Sequence, residues 1–209
     1  MNKSSRNLAL LLGLFLFSAT SYSQSGLVGR VTSITGTVEV LRANGDREIL
    51  QRRDTIRAGD EVRTNANSLI QLRFVDSAIL LLGCSSRISI DTYRYDQEAA
   101  NQVELTLHAG NLRSIVGEVV AENYLLRMAN TVTYVSGGDF GVAIASDDIQ
   151  YFGVYDGFVK IVSSQAESRL GVGADADFGR LQPGYQFEEL SQQPQILSQS
   201  VLNVTDCTI

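Results

Sequence analysis

The chain contains no tryptophan, one histidine and two cysteines among its 209 residues, and this shortage limits the chemistry that it can perform. A zinc site needs about four Cys, His or carboxylate ligands, and Cys84, Cys207 and His108 form no such set. The sequence also lacks a Walker loop, a dinucleotide-binding glycine motif and a Gly-x-Ser-x-Gly nucleophile motif. We therefore expect no metal, no cofactor and no catalytic site, and we interpret the chain as a non-enzyme.

The remaining catalytic candidates are weak. His108 alternates with Val103, Leu105 and Leu107, so strand parity places its ring on the solvent-facing side. The acidic segment 175–177 lacks the Gly and Glu positions of an EF-hand loop and is typical of a flexible acidic loop. Carboxylates are numerous enough that a glycosidase pair remains an open alternative, so an enzyme is the least favoured hypothesis.

Charged residues are also scarce, at 19% of the chain, and the formal net charge is −6. Such a chain, without a run of Lys or Arg, is poorly suited to bind nucleic acid, because neutralising phosphates requires clustered cations. Arg47, Arg52, Arg53 and Arg57 lie close together in the sequence. The simplest interpretation is a solvated strand edge or loop, and a local basic face is the alternative.

Long apolar runs are absent except near the N-terminus. Lys3 and Arg6 precede the apolar run 8–17, and small residues follow over 18–23. This order is typical of a secretory signal peptide, which we assign to residues 1–25. The run is about half of the ~20 residues that span a bilayer, so an N-terminal membrane anchor is the less favoured alternative. We expect a periplasmic or secreted protein that begins near residues 24–26 and has no later membrane span.

The two cysteines have a different meaning in an exported protein. A pair in an oxidising compartment is more often bridged than free, so Cys84 and Cys207 are a possible disulfide. Such a bridge would close a long loop, worth about 4 kcal/mol in the chain-entropy model. Two buried thiols are the alternative.

Apolar residues alternate with polar ones along much of the chain, as at Ile88 and Ile90, and Asn44-Gly45 is a strong hairpin signal. We predict an all-β fold, either an irregular β-solenoid-like domain or a strongly twisted sheet, built from many short strands. Residues from Gln182 onward are rich in Gln and Ser and are predicted to be mainly loop.

Several turn signals separate the predicted strands. We assign structural turn roles to five residues: Gly59, Asp60, Asp76, Gly110 and Gly157. Asp60 and Asp76 each adjoin a turn before a strand, so their carboxylates are expected to accept local backbone N–H bonds worth about 1 kcal/mol each. The alternative for these two residues is an acidic catalytic or metal-binding pair.

The order of these elements resembles the FecR domain family from about Gly29 to Lys160. The matching elements are Gly29-x-Val31, Gly36-x-Val38, Gly59-Asp60-Glu61-Val62-x-Thr64, Leu72-x-Phe74-x-Asp76-Ser77-x-Ile79-x-Leu81, Ile88-x-Ile90 with Tyr93 and Tyr95, Leu105-x-Leu107-x-x-Gly110-x-x-Arg113, Asp156-Gly157-x-Val159 and Leu181-x-x-Gly184. The family element Gly-x-Arg-Gly-Thr-x-Phe is divergent here, over Val135–Phe140, so its role is not carried over. The resemblance implies a β-solenoid-like domain that binds protein in the cell envelope and is not catalytic.

The resulting organisation is a signal peptide over 1–25, a FecR-like domain over 26–165 and a β/loop extension with a Gln/Ser-rich tail over 166–209. No segment resembles the anti-sigma part or the membrane span of the FecR regulators, so direct control of a sigma factor is not carried over from the resemblance. The predicted function is a protein-binding or regulatory module in the cell envelope. The alternative is a scaffolding protein that binds polysaccharide or peptidoglycan. The partner is expected to be another envelope protein.

Overall fold

The computed structural model describes residues 26–96, 101–119, 123–145, 148–184 and 186–199. Their strands form one continuous 15-stranded network, and one five-residue helix follows the last strand. The elements are β1 Leu27–Thr35, β2 Val38–Leu41, β3 Arg47–Ile49, β4 Thr55–Arg57, β5 Glu61–Thr64, β6 Leu69–Phe74, β7 Ile79–Leu82, β8 Arg87–Arg94, β9 Gln102–Ile115, β10 Tyr124–Met128, β11 Thr131–Ile144, β12 Gln150–Ser163, β13 Glu167–Gly171, β14 Phe178–Leu181, β15 Phe187–Leu190 and α1 Gln195–Gln199. The predicted all-β class is confirmed.

The hydrogen-bonded pairs divide the network into two layers. The first layer has the order β4-β1-β6-β7-β9-β11-β12-β14-β15. The second layer has the order β3-β2-β5-β8-β9-β10-β11-β12-β13. All pairs are antiparallel except β9 with β10. The network is open rather than closed into a barrel, and the solenoid-like winding stays a prediction.

Three 14-residue strands, β9, β11 and β12, belong to both layers. In each strand, glycine with positive φ lies between the part that belongs to the first layer and the part that belongs to the second. These glycines are Gly110 (80°) in β9, Gly137 (75°) and Gly138 (82°) in β11, and Gly157 (78°) in β12. A side chain is strained in this conformation, so glycine lets the strand change direction while its hydrogen bonding continues. Gly110 and Gly157 therefore lie inside long strands, rather than in loops between short ones.

The core lies between the two layers. Phe74 of β6 stacks on Tyr93 of β8 with ring centroids 4.3 Å apart, and Tyr124 of β10 lies 3.1 Å from Ser114 of β9 between their hydroxyl oxygens. Each contact joins a first-layer residue to a second-layer residue. Alternation produces this core, because every second side chain of a strand points inward. Ile88, for example, is fully buried between exposed or half-buried neighbours.

The region after Gln182 was predicted to be mainly loop, and this is wrong for two segments. Strand β15 pairs with β14 and places Phe187 6.1 Å from Phe152 between ring centroids. Helix α1 buries Leu197 beside Gly153, where a Cβ would lie only 2.9 Å from that leucine. Burial of a few isolated apolar side chains thus orders a Gln-rich segment. The predicted boundary at 165/166 stays a prediction, and two of the strands beyond it, β13 and β14, pair with β12.

Candidate functional site

Asp60 lies in the connection between β4 and β5, next to Gly59, whose φ is 87°. Its side chain is buried, and its Oδ2 accepts hydrogen bonds from Arg42 Nη1 and from the backbone N–H of Arg57, both at 2.8 Å. Arg42 also bonds Glu48, and this contact holds the pKa of the Glu48 carboxyl below its usual range. Asp60 is therefore part of a buried ion pair in addition to a local turn.

This ion pair occupies backbone groups at the β4 edge of the first layer. Among the described strands, β4 pairs only with β1 and would otherwise offer unpaired backbone groups to another strand. Arg42 Nη1 donates to the carbonyl of Thr55 at 2.9 Å, Asp60 accepts the N–H of Arg57, and the carbonyl of Arg57 accepts the N–H of Asp60 at 3.2 Å. Addition of a partner strand at β4 would have to break these bonds.

Asp76 lies at the turn between β6 and β7. Its Oδ1 accepts the hydroxyl of Tyr93 at 2.5 Å and the N–H of Ala78 at 3.2 Å. Burial, the neighbouring Tyr124 and the Asp76 carboxylate raise the pKa of Tyr93 far above its usual value, so Tyr93 remains a neutral donor. The structure describes no group of three or more Cys, His, Asp or Glu residues that could hold a metal ion, at Asp76 or elsewhere in the described ranges.

Cys84 is buried in the connection between β7 and β8. Its predicted partner, Cys207, lies outside the described residues. The disulfide stays a prediction.

An open groove lies on the outer surface of the first layer. It encloses about 250 Å³ where β1 and β6 run side by side. We call it the arginine groove, and its residues are Leu27, Gly29, Arg30, Thr32, Arg73, Phe74 and Val75. Pockets for drug-sized ligands usually measure about 300–1,000 Å³, so the groove is better matched to one or two side chains.

Two arginines stand directly opposite each other in this groove. Arg30 and Arg73 are register partners on β1 and β6, and both are exposed. Like charges opposite each other destabilise a sheet, so a carboxylate partner would be expected. Within the described ranges, neither guanidinium forms an ion pair. By contrast, Arg113 on the same layer forms two hydrogen bonds to Asp139, at 2.8 and 2.7 Å.

Apolar side chains border the arginine groove. Leu27 is 44% exposed and Val75 is 47% exposed, and both line the groove. Arg73 of β6 is the register partner of Ile79 of β7, and Ile79 is the register partner of Ile115 of β9. Ile115 is 42% exposed. An exposed apolar strip next to unpaired cations is typical of an interaction surface.

The comparisons with known proteins fit this architecture. The model of the FecR family, described as FecR protein, matches residues 60–160. The chain carries a FecR domain. No curated protein matches the sequence.

Two solved structures resemble this FecR domain. Both are crystal structures of a provisionally assigned anti-sigma factor from Parabacteroides distasonis ATCC 8503, at 2.50 Å and 1.65 Å resolution. Each has 16% sequence identity and a TM-score of 0.52, and the match covers 65% of this chain and 61% of the other. At this identity the likeness concerns the fold alone. The match thus spans less than two thirds of the anti-sigma factor chain.

The FecR match begins at Asp60, so it includes β6 of the arginine groove but not β1. The divergent element Val135–Phe140 lies within β11, and its Asp139 is the residue that pairs with Arg113. Sequence reasoning missed the arginine groove. Alternation in β6 could have shown that Arg73 faces outward, but it does not show which residue lies opposite.

The single histidine of the FecR domain lies on the outer surface of the second layer. Its side chain is 31% exposed, and its Nε2 lies 2.7 Å from the Ser89 hydroxyl and 3.9 Å from a carboxylate oxygen of Glu61. We expect His108→Ala to change the free energy of unfolding by no more than about 0.5 kcal/mol, as for other surface substitutions. Thermal unfolding measures this, with Ser89→Ala as the control for the lost hydrogen bond. A loss well above that range in His108→Ala alone would contradict a surface role.

Proposed function

We propose that this protein is a non-catalytic regulatory module of the bacterial cell envelope that acts by binding another protein. The FecR domain and the fold shared with an anti-sigma factor support a regulatory role. The observation that carries the binding function is the outer surface of the first layer, where the arginine groove adjoins exposed Leu27, Val75 and Ile115. Opposed arginines that form no ion pair within the described ranges adjoin these exposed aliphatic side chains, and such an exposed apolar patch with a polar rim is typical of an interaction site.

The surface favours recognition through side chains. Strand addition is a common binding mode for open sheets, but the free backbone groups of β4 are occupied by Arg42, Asp60 and the following turn. Strand addition at the β4 edge is therefore disfavoured. We propose that the partner instead contacts the outer surface of the first layer, where the arginine groove lies.

Export belongs to the same proposal, with residues 1–25 as a signal peptide, 26–165 as the domain and 166–209 as an extension in a β-solenoid-like arrangement. The structure describes no helix with the length and apolar character of a membrane span within its ranges. We expect protein recovered from the periplasm or the medium to begin near residues 24–26, and N-terminal sequencing measures this. Full-length protein retained in the membrane would support the anchor instead.

A binding experiment separates a protein partner from a polysaccharide ligand. Purified mature chain is immobilised and incubated with envelope extract, before and after protease treatment, and in parallel it is sedimented with isolated peptidoglycan. We expect a specific protein to be retained from the untreated extract and no sedimentation with peptidoglycan. Sedimentation with peptidoglycan, combined with no retained protein, would favour the scaffolding alternative and contradict protein binding.

A further inference from the structure

We propose that the arginine groove binds a short peptide segment of the partner that carries a carboxylate next to an aliphatic side chain. The proposal rests on the protein-binding function above and adds where the partner binds and what chemistry is recognised. The carboxylate would lie between the guanidinium groups of Arg30 and Arg73. The aliphatic side chain would contact Leu27 and Val75.

The opposed arginines supply the first argument. Directly opposed residues in an antiparallel pair have Cβ atoms about 4.5–5.5 Å apart, so the charges of Arg30 and Arg73 repel each other on the same face. A carboxylate between them would replace this repulsion by two charge-assisted hydrogen bonds. Arginine is well suited to this role, because its planar guanidinium group matches the geometry of a carboxylate.

The outward-facing aliphatic side chains supply the second argument. Val75 follows Arg73 by two residues, and its N–H donates to the carbonyl of Val28 at 2.9 Å, so Val75 lies beside the end of β1 that carries Leu27. Leu27 is 44% and Val75 47% exposed, and both line the groove with the two arginines. Gly29 is the register partner of Phe74, whose ring stacks on Tyr93 in the core, so Gly29 adds no side chain to the outer surface.

The charge of the whole chain limits the ligand further. The net charge is −6, so a nucleic acid or a long polyacidic segment would be repelled at a distance. A segment with one or two carboxylates gains the local attraction with little of this repulsion. The apolar borders favour a peptide over a free phosphate or a sugar acid, because neither of these ligands would bury Leu27 or Val75.

The test uses the mature chain and two blocked synthetic hexapeptides. The acidic probe is Ser-Leu-Asp-Leu-Glu-Ser, and the neutral probe replaces Asp by Asn and Glu by Gln. Binding is followed by NMR chemical shifts up to millimolar peptide. We expect the acidic probe to bind at least 10-fold more tightly than the neutral probe, with shifts centred on residues 27–32 and 73–75. Binding should weaken as salt is added.

Variants locate the site. Arg30→Ala and Arg73→Ala should each weaken binding of the acidic probe by about 10-fold or more, as expected for loss of a hydrogen bond to a charged group. Arg87→Ala is the matched control, because Arg87 is an exposed strand arginine on the second layer. It should change the affinity less than twofold. The melting temperatures of Arg30→Ala and Arg73→Ala should be unchanged or higher, since each removes a repulsion.

Three results would overturn the proposal: no binding of the acidic probe, equal binding of the two probes, or unchanged affinity in both arginine variants. Inorganic phosphate that competes at the same concentration as the acidic probe would also overturn it, by showing a simple anion site. Binding from envelope extract then distinguishes a failure of the arginine-groove proposal from a failure of the proposed function. If Arg30→Ala/Arg73→Ala still retains the envelope partner, protein binding stands and the arginine groove is not its site. If wild-type protein retains no partner, the proposed function itself fails.

Discussion

Asp60→Ala is expected to lower the free energy of unfolding by about 2–3 kcal/mol, which is well above the ~1 kcal/mol of an isolated turn bond. The reason is the burial of its partner, because the side chain of Arg42 is only 8% exposed and that of Asp60 only 2%. The substitution leaves Arg42 without its buried counter-charge and the N–H of Arg57 without its acceptor. Glu48 still pairs with Arg42, so the loss should fall below the ~3–5 kcal/mol typical of a wholly broken buried pair. Urea unfolding measures the change.

Two controls identify the cause of this loss. Asp60→Asn keeps an oxygen acceptor for the N–H of Arg57 but removes the charge, so it should cost about half as much. Asp46→Ala removes a carboxylate from an exposed turn and should cost about 0.5 kcal/mol or less. A chelator should leave the melting temperature of the wild-type protein unchanged. If the chelator destabilises the protein and Asp60→Asn abolishes that effect, Asp60 binds a metal instead.

The all-β class could be predicted because each strand carries its own signal. Inward side chains such as Val103, Leu105 and Leu107 recur at every second position, and this pattern depends only on the local backbone. Strand pairing depends on contacts between distant segments, and the alternation of one strand contains no information about its neighbours. The two-layer arrangement and the parallel pairing of β9 with β10 were therefore beyond the reach of the sequence.

The glycines illustrate the same limit. A Gly-containing segment such as 109–111 is typical of a turn that ends a strand, and positive φ is indeed required at Gly110. A bend within a continuous strand requires the same conformation. Only the hydrogen bonds to β8 before the bend and to β7 after it show which of the two is present.

The arginine groove could not be predicted from the sequence, for a related reason. Arg30 and Arg73 are far apart in the sequence and belong to separate predicted strands. The register that opposes them is interrupted by an irregularity between Val31 and Ser33, and a shift of one residue would place each side chain on the other face. By the same reasoning, the sequence identified Asp60 as a turn residue but not as the partner of Arg42. Long-range pairs of charged residues become visible only when the register is known.

Gly110→Ala is expected to be the more damaging of the two largest changes, with a loss of about 3–5 kcal/mol in the free energy of unfolding. The φ of 80° costs an alanine about 1–2 kcal/mol by itself. In addition, the new Cβ would lie 2.0 Å from the Ser86 Oγ and 2.6 Å from the Ser86 Cα, so the backbone at Ser86 must move. Ser86 is buried, and its hydroxyl oxygen accepts the N–H of Asn111 at 2.9 Å, a bond whose loss costs about 1–3 kcal/mol.

Gly45→Ala is the matched control, because Gly45 also has a positive φ, 92°, but a Cβ there would meet nothing within 4 Å. It should lose only the conformational part, about 1–2 kcal/mol, in the same urea experiment. The double variant Gly110→Ala/Ser86→Gly removes the crowding Oγ and Cβ atoms of Ser86 but leaves its backbone in place, so it should recover part of the packing loss. Equal losses in Gly110→Ala and Gly45→Ala would mean that β9 does not pass close to Ser86. Gly110, at which β9 passes from one layer to the other, would then not pack against Ser86. The two-layer arrangement of the FecR domain would be wrong at that position.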